Sequence, residues 1–498
     1  MPQQPTLPLD RLGNIGDEPL SAAALATYVD EHERLNLPRY SLLWRYYRNP
    51  MELGGPALSS GTQGRRYRLA QEQGLPPRIT GATRNSAVDD RAAARREVVI
   101  ENDIAWRVQA MVDYLFSKPV RLVSTAADPS LRAKIERALD ACWERSGGSG
   151  LLQDAALLGH VYGHADLLVR VDANLAVDRP AHDDAQLIDA ARRVRIELVA
   201  PPRGIPIQNP ADYRELDGYI IRSQRSIIDP AAPSRRRTVT FTEVFSTAAR
   251  QLYQDRADGR GPQLVDEAHN NVSPGRLPIA HIQNVSQPLA YAGLSEVEPL
   301  IPLQDELNTR LSDRASRVTM QSFKMYLAKG IDGFDKTPIG PGQMWSTDNT
   351  EASITAFGGD ADSPSEEAHI DEIREALDKA SSLPPLATGV VRAKIGNLTS
   401  ENALRLTLGG VLTRTNRKRL SYGRGITLAC RFVLDALHHA GVLITNPDQR
   451  GVTIEWPDPL PQSPAAALDV AQRQTDLGVD QPRVLAGLGI GRADQSVA

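Results

Sequence analysis

Apolar positions recur at helical spacing over much of the first third of this chain. Ile104, Val108, Met111, Val112 and Leu115 share one face between about Asn102 and Phe116. Lys118-Pro119 ends that run, because the residue before a proline is pushed out of the helical region. Pro129 to Ser146 is a second amphipathic helix, closed by Gly147-Gly148, and Ser21 to Tyr47 predicts one or two more. Leu151 to Tyr162 reads as a helix that gives way, at Gly163, to an apolar strand from Leu167 to Val171. Strand signals then dominate at Val194 to Val199, Tyr219 to Ile228, Thr238 to Phe245 and Leu277 to Ile282. These runs are β-branched or aromatic, and turn residues separate them. The pattern predicts an antiparallel α+β domain.

The period changes after Ala292. A helix from about Pro302 to Ala328 carries Leu303, Leu307, Leu311, Ala315, Val318 and Ser322 on one narrow stripe, with charge around most of the rest. At ~1.5 Å per residue it would span about 40 Å, and so thin a stripe suits a stave packed between neighbours. The insert Gly330 to Ala361 breaks the helix with Gly and Pro and holds a strand-like run, Ile354 to Phe357. Ser363-Pro364-Ser365-Glu366 then has the form of a helix start, and Ile370, Ile373, Leu377 and Ala380 line one side as far as Leu383. Pro384-Pro385 stops it. A loop, Leu386 to Leu398, leads to a last long helix, capped at Thr399 or Ser400 and ending at His439 before Gly441. Gly409-Gly410 and Gly423/Gly425 predict kinks in it. A strand from Val452 to Trp456 and two short helices complete the chain.

Charge is unevenly placed. The 498 residues hold 57 Lys+Arg against 61 Asp+Glu, a formal net charge of −4, which excludes a chain that grips nucleic acid by bulk charge. Yet Asp360 to Leu383 holds eight acidic and two basic residues, and Thr399 to Gly441 seven basic and two acidic. The acidic helix either presents carboxylates to a lumen or pairs with the basic helix of the same or the adjacent subunit. The run Arg414, Arg417, Lys418, Arg419 resembles a nucleic-acid patch, although on a helix it spreads over more than half the circumference. Cys142 and Cys430 are distant in sequence and fit buried thiols rather than a disulfide framework. Met1 to Pro19 lacks the apolar centre of a signal peptide, and no run approaches the ~18 apolar residues of a membrane span, so neither export nor a bilayer is expected.

Catalytic signatures are missing from the sequence. There is no G-x-x-x-x-G-K-[ST] to cradle phosphate and no G-x-S-x-G nucleophile elbow. His160 and His164 stand four apart, but Gly163 interrupts the helix that would align them. A hydrolase holding a metal on His160, His164 and Asp166 is the remote alternative. Asp360 and Asp362 lack the other oxygen ligands of a calcium loop. The expectation is a non-enzyme with no cofactor, no catalytic residues and no metal.

Several segments, in order, resemble the portal protein family of tailed bacteriophages, the head–tail connector of siphophage type. They are Trp44-Arg45-Tyr46-Tyr47-Arg48, Tyr114-Leu115-Phe116-Ser117-Lys118-Pro119-Val120, Gly275-Arg276-Leu277-Pro278-Ile279, Ser295 to Leu327, Asn397 to Leu404, and Glu455-Trp456-Pro457-Asp458-Pro459-Leu460-Pro461. Together they span about residues 40 to 490. The sequence departs from the family pattern at Pro299 and Pro302, and at Leu398-Thr399-Ser400-Glu401, which stands where the family has Ser-Gly.

The resemblance implies an α+β portal fold. After a flexible tail, 1–20, would come an α+β wing, 21–292, with a mobile loop at about 52–96. Stem helices at 293–328 and 363–384 would flank a small α/β clip, 329–362. A tunnel loop, 385–399, would lead into a long kinked helix, 400–441, and a helical crown, 442–498. It further implies a homo-dodecamer at one capsid vertex of the virion, assembled in the bacterial cytoplasm. Double-stranded DNA would pass through its channel, weakly held and without sequence preference. Terminase large subunit, a head-completion adaptor, and the major capsid and scaffolding proteins would be its partners. The tunnel-loop residues Arg392, Lys394, Asn397 and Thr399 would face DNA, and Met344 and Trp345 in the clip would contact partners. The alternative is a capsid-associated connector of a prophage or gene-transfer particle that never touches DNA.

Overall fold

The structure, a computed structural model, describes residues 20–48, 99–322 apart from 173–174, 176–179, 211, 213–214, 230–231 and 256–261, then 325–329, 350–357, 364–388, 405–460, 464–478 and Val484. Helix α1 (Ala22–Glu31) starts at Ser21, whose hydroxyl accepts the Ala24 N–H. It continues through a π-helical turn, His32–Asn36, into α2 (Leu37–Arg48). In α3 (Asp103–Phe116) the apolar face predicted from spacing is buried throughout. Asp128 caps α4 (Pro129–Ser146) by accepting the Ser130 and Leu131 N–H groups, and Gly147 ends it in the left-handed region at φ 118°. Helix α5 (Gly148–Tyr162) ends at Gly163, φ 96°, where a Cβ would also run into the backbone of Gly293.

Strand β1 (Arg121–Ser124) precedes α4, and β2 (His164–Val171) follows α5 directly. After α6 (Asp184–Ala191), β3 (Val194–Val199) pairs antiparallel with β2 on one side. The strands β4 (Gly204–Gln208), β5 (Leu216–Asp229), β6 (Ala232–Phe245), β7 (Ala249–Asp255) and β8 (Pro262–His269) form a sequential antiparallel meander. Strand β9 (Ile279–Gln283) returns to the other side of β2. The α+β class predicted from sequence is the one observed.

Helix α7 (Ile301–Ser322) ends six residues earlier than its spacing predicts. Met325–Lys329 is instead strand β10, paired antiparallel with β11 (Ser353–Phe357). The local sequence is compatible with helix, and the β-branched partner strand decides the outcome. Helix α8 (Pro364–Ser381) follows, and α9 (Gly409–His439) runs unbroken through Gly423 and Gly425. Gly425 serves close packing: a Cβ there would overlap Cγ1 and Cδ1 of Ile282 in β9. Strand β12 (Val452–Glu455) pairs with β1, and α10 (Pro464–Asp476) is the last described helix.

Two apolar cores organise these elements. One sets Tyr422, Ile426, Ala429, Val433 and Leu437 of α9 against α4, α5 and the β3–β2–β9 sheet. Both cysteines lie in it, buried and unbridged, and burial pushes each thiol up to about 12. The other joins Leu43, Ile104, Val108, Val161 and Leu307 to Ile370, Ile373 and Leu377, so that α7 and α8 stand on α3. Arg107, 0 % exposed, crosses that seam. It donates to Asp103 at 3.0 Å, Asp378 at 2.6 Å and Ser381 at 2.9 Å.

Candidate functional site

Arg392, Lys394, Asn397 and Thr399 lie outside the described residues, as do Met344, Trp345 and the expected caps Ser363, Thr399 and Ser400. What is described is the ground on which 389–404 stands. On the incoming side α8 ends with Ser382 at φ 56° and a hydrogen bond from the Leu383 N–H to Asp378 O, 3.2 Å. Leu383 is buried, Arg107 donates to its carbonyl at 3.2 Å, and the Tyr114 hydroxyl donates to Ala387 O at 2.9 Å. On the outgoing side Leu408 and Val411 are buried, and Val411 shares a small core with Leu383, Ala110 and Met111. Arg405 pairs with Asp458 at 2.5 Å. The incoming end is therefore held against α3, and on the outgoing side Arg405 is tied to Asp458 while Val411 packs on α3.

Beneath this base lies a buried ionic cluster. Glu296, 2 % exposed, receives Lys418 Nζ at 2.7 Å and also the Arg414 guanidinium. Burial alone would raise the Glu296 carboxyl, but Lys418 and Arg414 outweigh it and hold it at about 2. Lys418 also donates to His160 Nε2 at 2.8 Å, while His160 Nδ1 meets Ala156 O at 2.6 Å. That pair of partners assigns the tautomer with the proton on Nδ1. Burial and then the Lys418 charge push His160 down to about 3. Arg414 further donates to Ser381 O at 2.9 Å and Ser382 Oγ at 3.0 Å, so one side chain ties α9, the segment before α7 and the exit of α8 together.

This corrects the reading of the basic run as a nucleic-acid patch. Arg414 and Lys418 are spent inside the fold, and Arg419 donates to Pro457 O at 2.6 Å and lies over the Trp456 ring. Only Arg417 of the four is exposed. Within the subunit the acidic helix is likewise partly neutralised, by α7 rather than by its own basic helix: Glu366 pairs with Arg317, and Glu367 with Arg314 at 3.1 Å.

The two histidines of the remote hydrolase reading are not brought together. His160 belongs to the Glu296 cluster, whereas His164 lies 3.9 Å from Asp166. Asp166 is fully buried and accepts from Tyr219 OH at 2.6 Å, Tyr291 OH at 2.9 Å and His281 Nδ1 at 2.7 Å. Burial would raise its carboxyl, yet His281 and the other donors keep it below the usual range. His281 Nε2 faces Tyr291 O at 2.8 Å, so both ring nitrogens lie against oxygens of the network. This is a closed structural network. Among the described residues no group of three His, Cys, Asp or Glu side chains could hold a metal ion, and no helix is long and apolar enough to cross a membrane. A cleft of about 720 Å³ between β2, β7 and α9 includes Arg170 and Arg250, both already paired with Glu243.

Sequence reasoning missed one polar ladder. Gln304, Asn308 and Ser312, spaced by four on α7, are buried. They accept the N–H groups of Ile104 at 3.2 Å, Glu101 at 3.0 Å and Val99 at 3.0 Å. The recurrence of uncharged polar residues at that spacing was the available signal.

A family model described as phage portal protein, SPP1 Gp6-like, matches residues 26–481. Among solved structures, the chain is similar to the neck of an empty GTA particle computed with C6 symmetry and to the virion of a native gene transfer agent particle. Identities are 13% and 12%; in each case 78% of this chain and 90% of the other are covered, with a TM-score of 0.43. No curated protein matches the sequence.

Proposed function

The chain belongs to the SPP1 Gp6-like phage portal protein family, a structural and non-enzymatic one, and from that membership we propose that its copies close into a dodecameric ring at a capsid vertex. Double-stranded DNA would pass through the bore during packaging and ejection. In this reading residues 21–292 are the wing, and α7 and α8 are the stem. The insert between them, closed at its base by the β10–β11 pair, is the clip that docks terminase and later the head-completion adaptor. Residues 385–399 are the tunnel loop, α9 the link from wing to crown, and the chain after Gly441 the crown. The capsid and scaffolding proteins would surround the wing.

The observation that carries the reading is the clamped base of 389–404. A loop that meets moving DNA needs fixed ends. These ends are fixed by Arg107, Arg414 and the small core around Leu383, which join the stem helices to α9. The charge balance agrees. A conduit must release every phosphate contact as the duplex advances, and a formal net charge of −4 supplies no strong grip. Arg392 and Lys394, repeated around the ring, would centre the duplex, with Asn397 and Thr399 beside them. Met344 and Trp345 would contact the docked partner.

Replacing Arg392 and Lys394 together by Glu tests it. The expected result is intact rings with DNA packaged per particle reduced about tenfold, the scale of a 1.4 kcal/mol change. Normal packaging by that variant would favour a connector that does not touch DNA.

A further inference from the structure

Two faces of this subunit are complementary in charge, and among the described residues one is without side-chain ion pairs and the other only partly paired. The first is on α9. Thr413, Arg417, Leu420, Arg424 and Arg431 are all exposed, and their spacings of four, three, four and seven place them on one stripe of the helix. The stripe is ~27 Å long at ~1.5 Å per residue. Leu420 is 76 % exposed, and Leu406, just before the helix, is 83 % exposed. Among the described residues none of the three guanidinium groups makes a hydrogen bond or ion pair; Arg424 only accepts the Thr427 hydroxyl on its backbone carbonyl, at 3.0 Å.

The second face is on α8. Its inner side is buried by Ile370, Ile373 and Leu377, while Glu367, Asp371, Glu372 and Glu375 point outward. Arg314, His369 and Lys379 answer Glu367, Glu372 and Glu375 in part, at 3.1, 3.6 and 3.1 Å. These are exposed pairs of small worth. Among the described residues Asp371 has no such partner, and the face remains acidic.

We propose that the Arg417–Leu420–Arg424–Arg431 stripe of one subunit docks on the acidic α8 face of the next. The inference rests on the ring reading and names the surfaces that would close the ring. Three features favour a second copy over DNA as the occupant. Leu420, set among the arginines, offers apolar area that phosphate cannot use. Arginine beside apolar residues is the composition enriched at protein interfaces. The matching acidic surface is supplied by the same chain, and two different patches meeting head to tail generate a closed ring.

The experiment uses the full chain unaltered and in three altered forms, followed by sedimentation velocity and native mass spectrometry with circular dichroism as the check on folding. Arg417→Glu with Arg424→Glu is expected to raise the concentration for half-assembly at least about tenfold. Asp371→Lys with Glu375→Lys should do the same. A chain carrying all four changes restores the opposite-sign pairing and should assemble as the unaltered protein does. Rings that form normally from either double variant overturn the proposal, as does a quadruple variant no better than the doubles. Intact rings from Arg417→Glu/Arg424→Glu that have lost salt-dependent retention of a DNA duplex would also overturn it, assigning the stripe to phosphate. If the unaltered protein forms no ring at any concentration, the ring reading itself fails, and that outcome is separate from the other three.

Discussion

Lys418 and Glu296 form a fully buried ion pair, 2.7 Å between Nζ and Oε1, that joins the long helix α9 to the segment leading into α7. Arg414 reaches the same carboxylate from one turn earlier. Glu296 is thus the shared anion of two cations. The asymmetry has a consequence. Lys418→Met removes one cation and leaves Glu296 paired with Arg414. Glu296→Gln strands Lys418 inside the protein, where an uncompensated charge costs about 3–5 kcal/mol. Chemical denaturation should show Glu296→Gln losing clearly more stability than Lys418→Met. Equal losses would mean that the cluster does not share charge as its geometry implies.

Acid should weaken this region in a defined window. Burial holds His160 down at about 3 and His164 at about 4, against 6.5 in the unfolded chain, and the two cations hold Glu296 at about 2 against 4.5. All three folded values are depressed, so the unfolded chain binds more protons below the ordinary values. Their stabilisation is complete above pH 6.5. It declines from there through about 4 and 3 for the histidines, and from 4.5 through about 2 for Glu296. The slope is at most ~1.4 kcal/mol per pH unit for each group. Denaturation midpoints between pH 7 and 4 check this, and His160→Asn should flatten the upper part of the curve.

Asp305 runs the other way. Burial raises its carboxyl to about 6 despite the Tyr46 hydroxyl donating to it at 3.0 Å. Its raised value makes ionisation unfavourable in the fold, so stability falls as pH rises from 3.8 through about 6. Asp305→Asn keeps an acceptor for Tyr46 and removes the charge. It should raise the melting temperature at pH 8 and change it far less at pH 4.

Two neighbouring glycines on α9 should respond oppositely to alanine. At Gly423 a Cβ would make an ordinary contact with Trp456, 3.7 Å away, and Gly423→Ala should stabilise by roughly 0.5–1 kcal/mol through helix propensity. At Gly425 the same methyl overlaps Ile282, and overpacking of about 1–3 kcal/mol should outweigh that gain. Thermal unfolding of the two variants gives the comparison directly.

The periodic helices were legible in the sequence because their burial is local. Ile104, Val108, Met111, Val112 and Leu115 declare one face of α3 without reference to anything else, and Ile370, Ile373 and Leu377 do the same for α8. Strand β10 was not legible, since only its register with Ser353–Phe357 makes Met325–Lys329 extended. Strand β8 was hidden for a different reason: nearly every residue in it is exposed, so it shows no alternation to read. The basic run misled because the partners of Lys418, Glu296 and His160, lie more than a hundred residues away in sequence. The packing role of Gly425 was not legible because the side chain that fills the space there comes from β9.

The central claim is that these subunits close into a ring around a bore wide enough for a DNA duplex. An electron-microscopy map of the purified full-length protein tests it most directly. The expected map shows twelve copies around an open channel, with 389–404 at its narrowest point and α7 and α8 standing side by side with those of the neighbours. A well-folded solitary subunit at high protein concentration, or a closed assembly without a central opening, would contradict it.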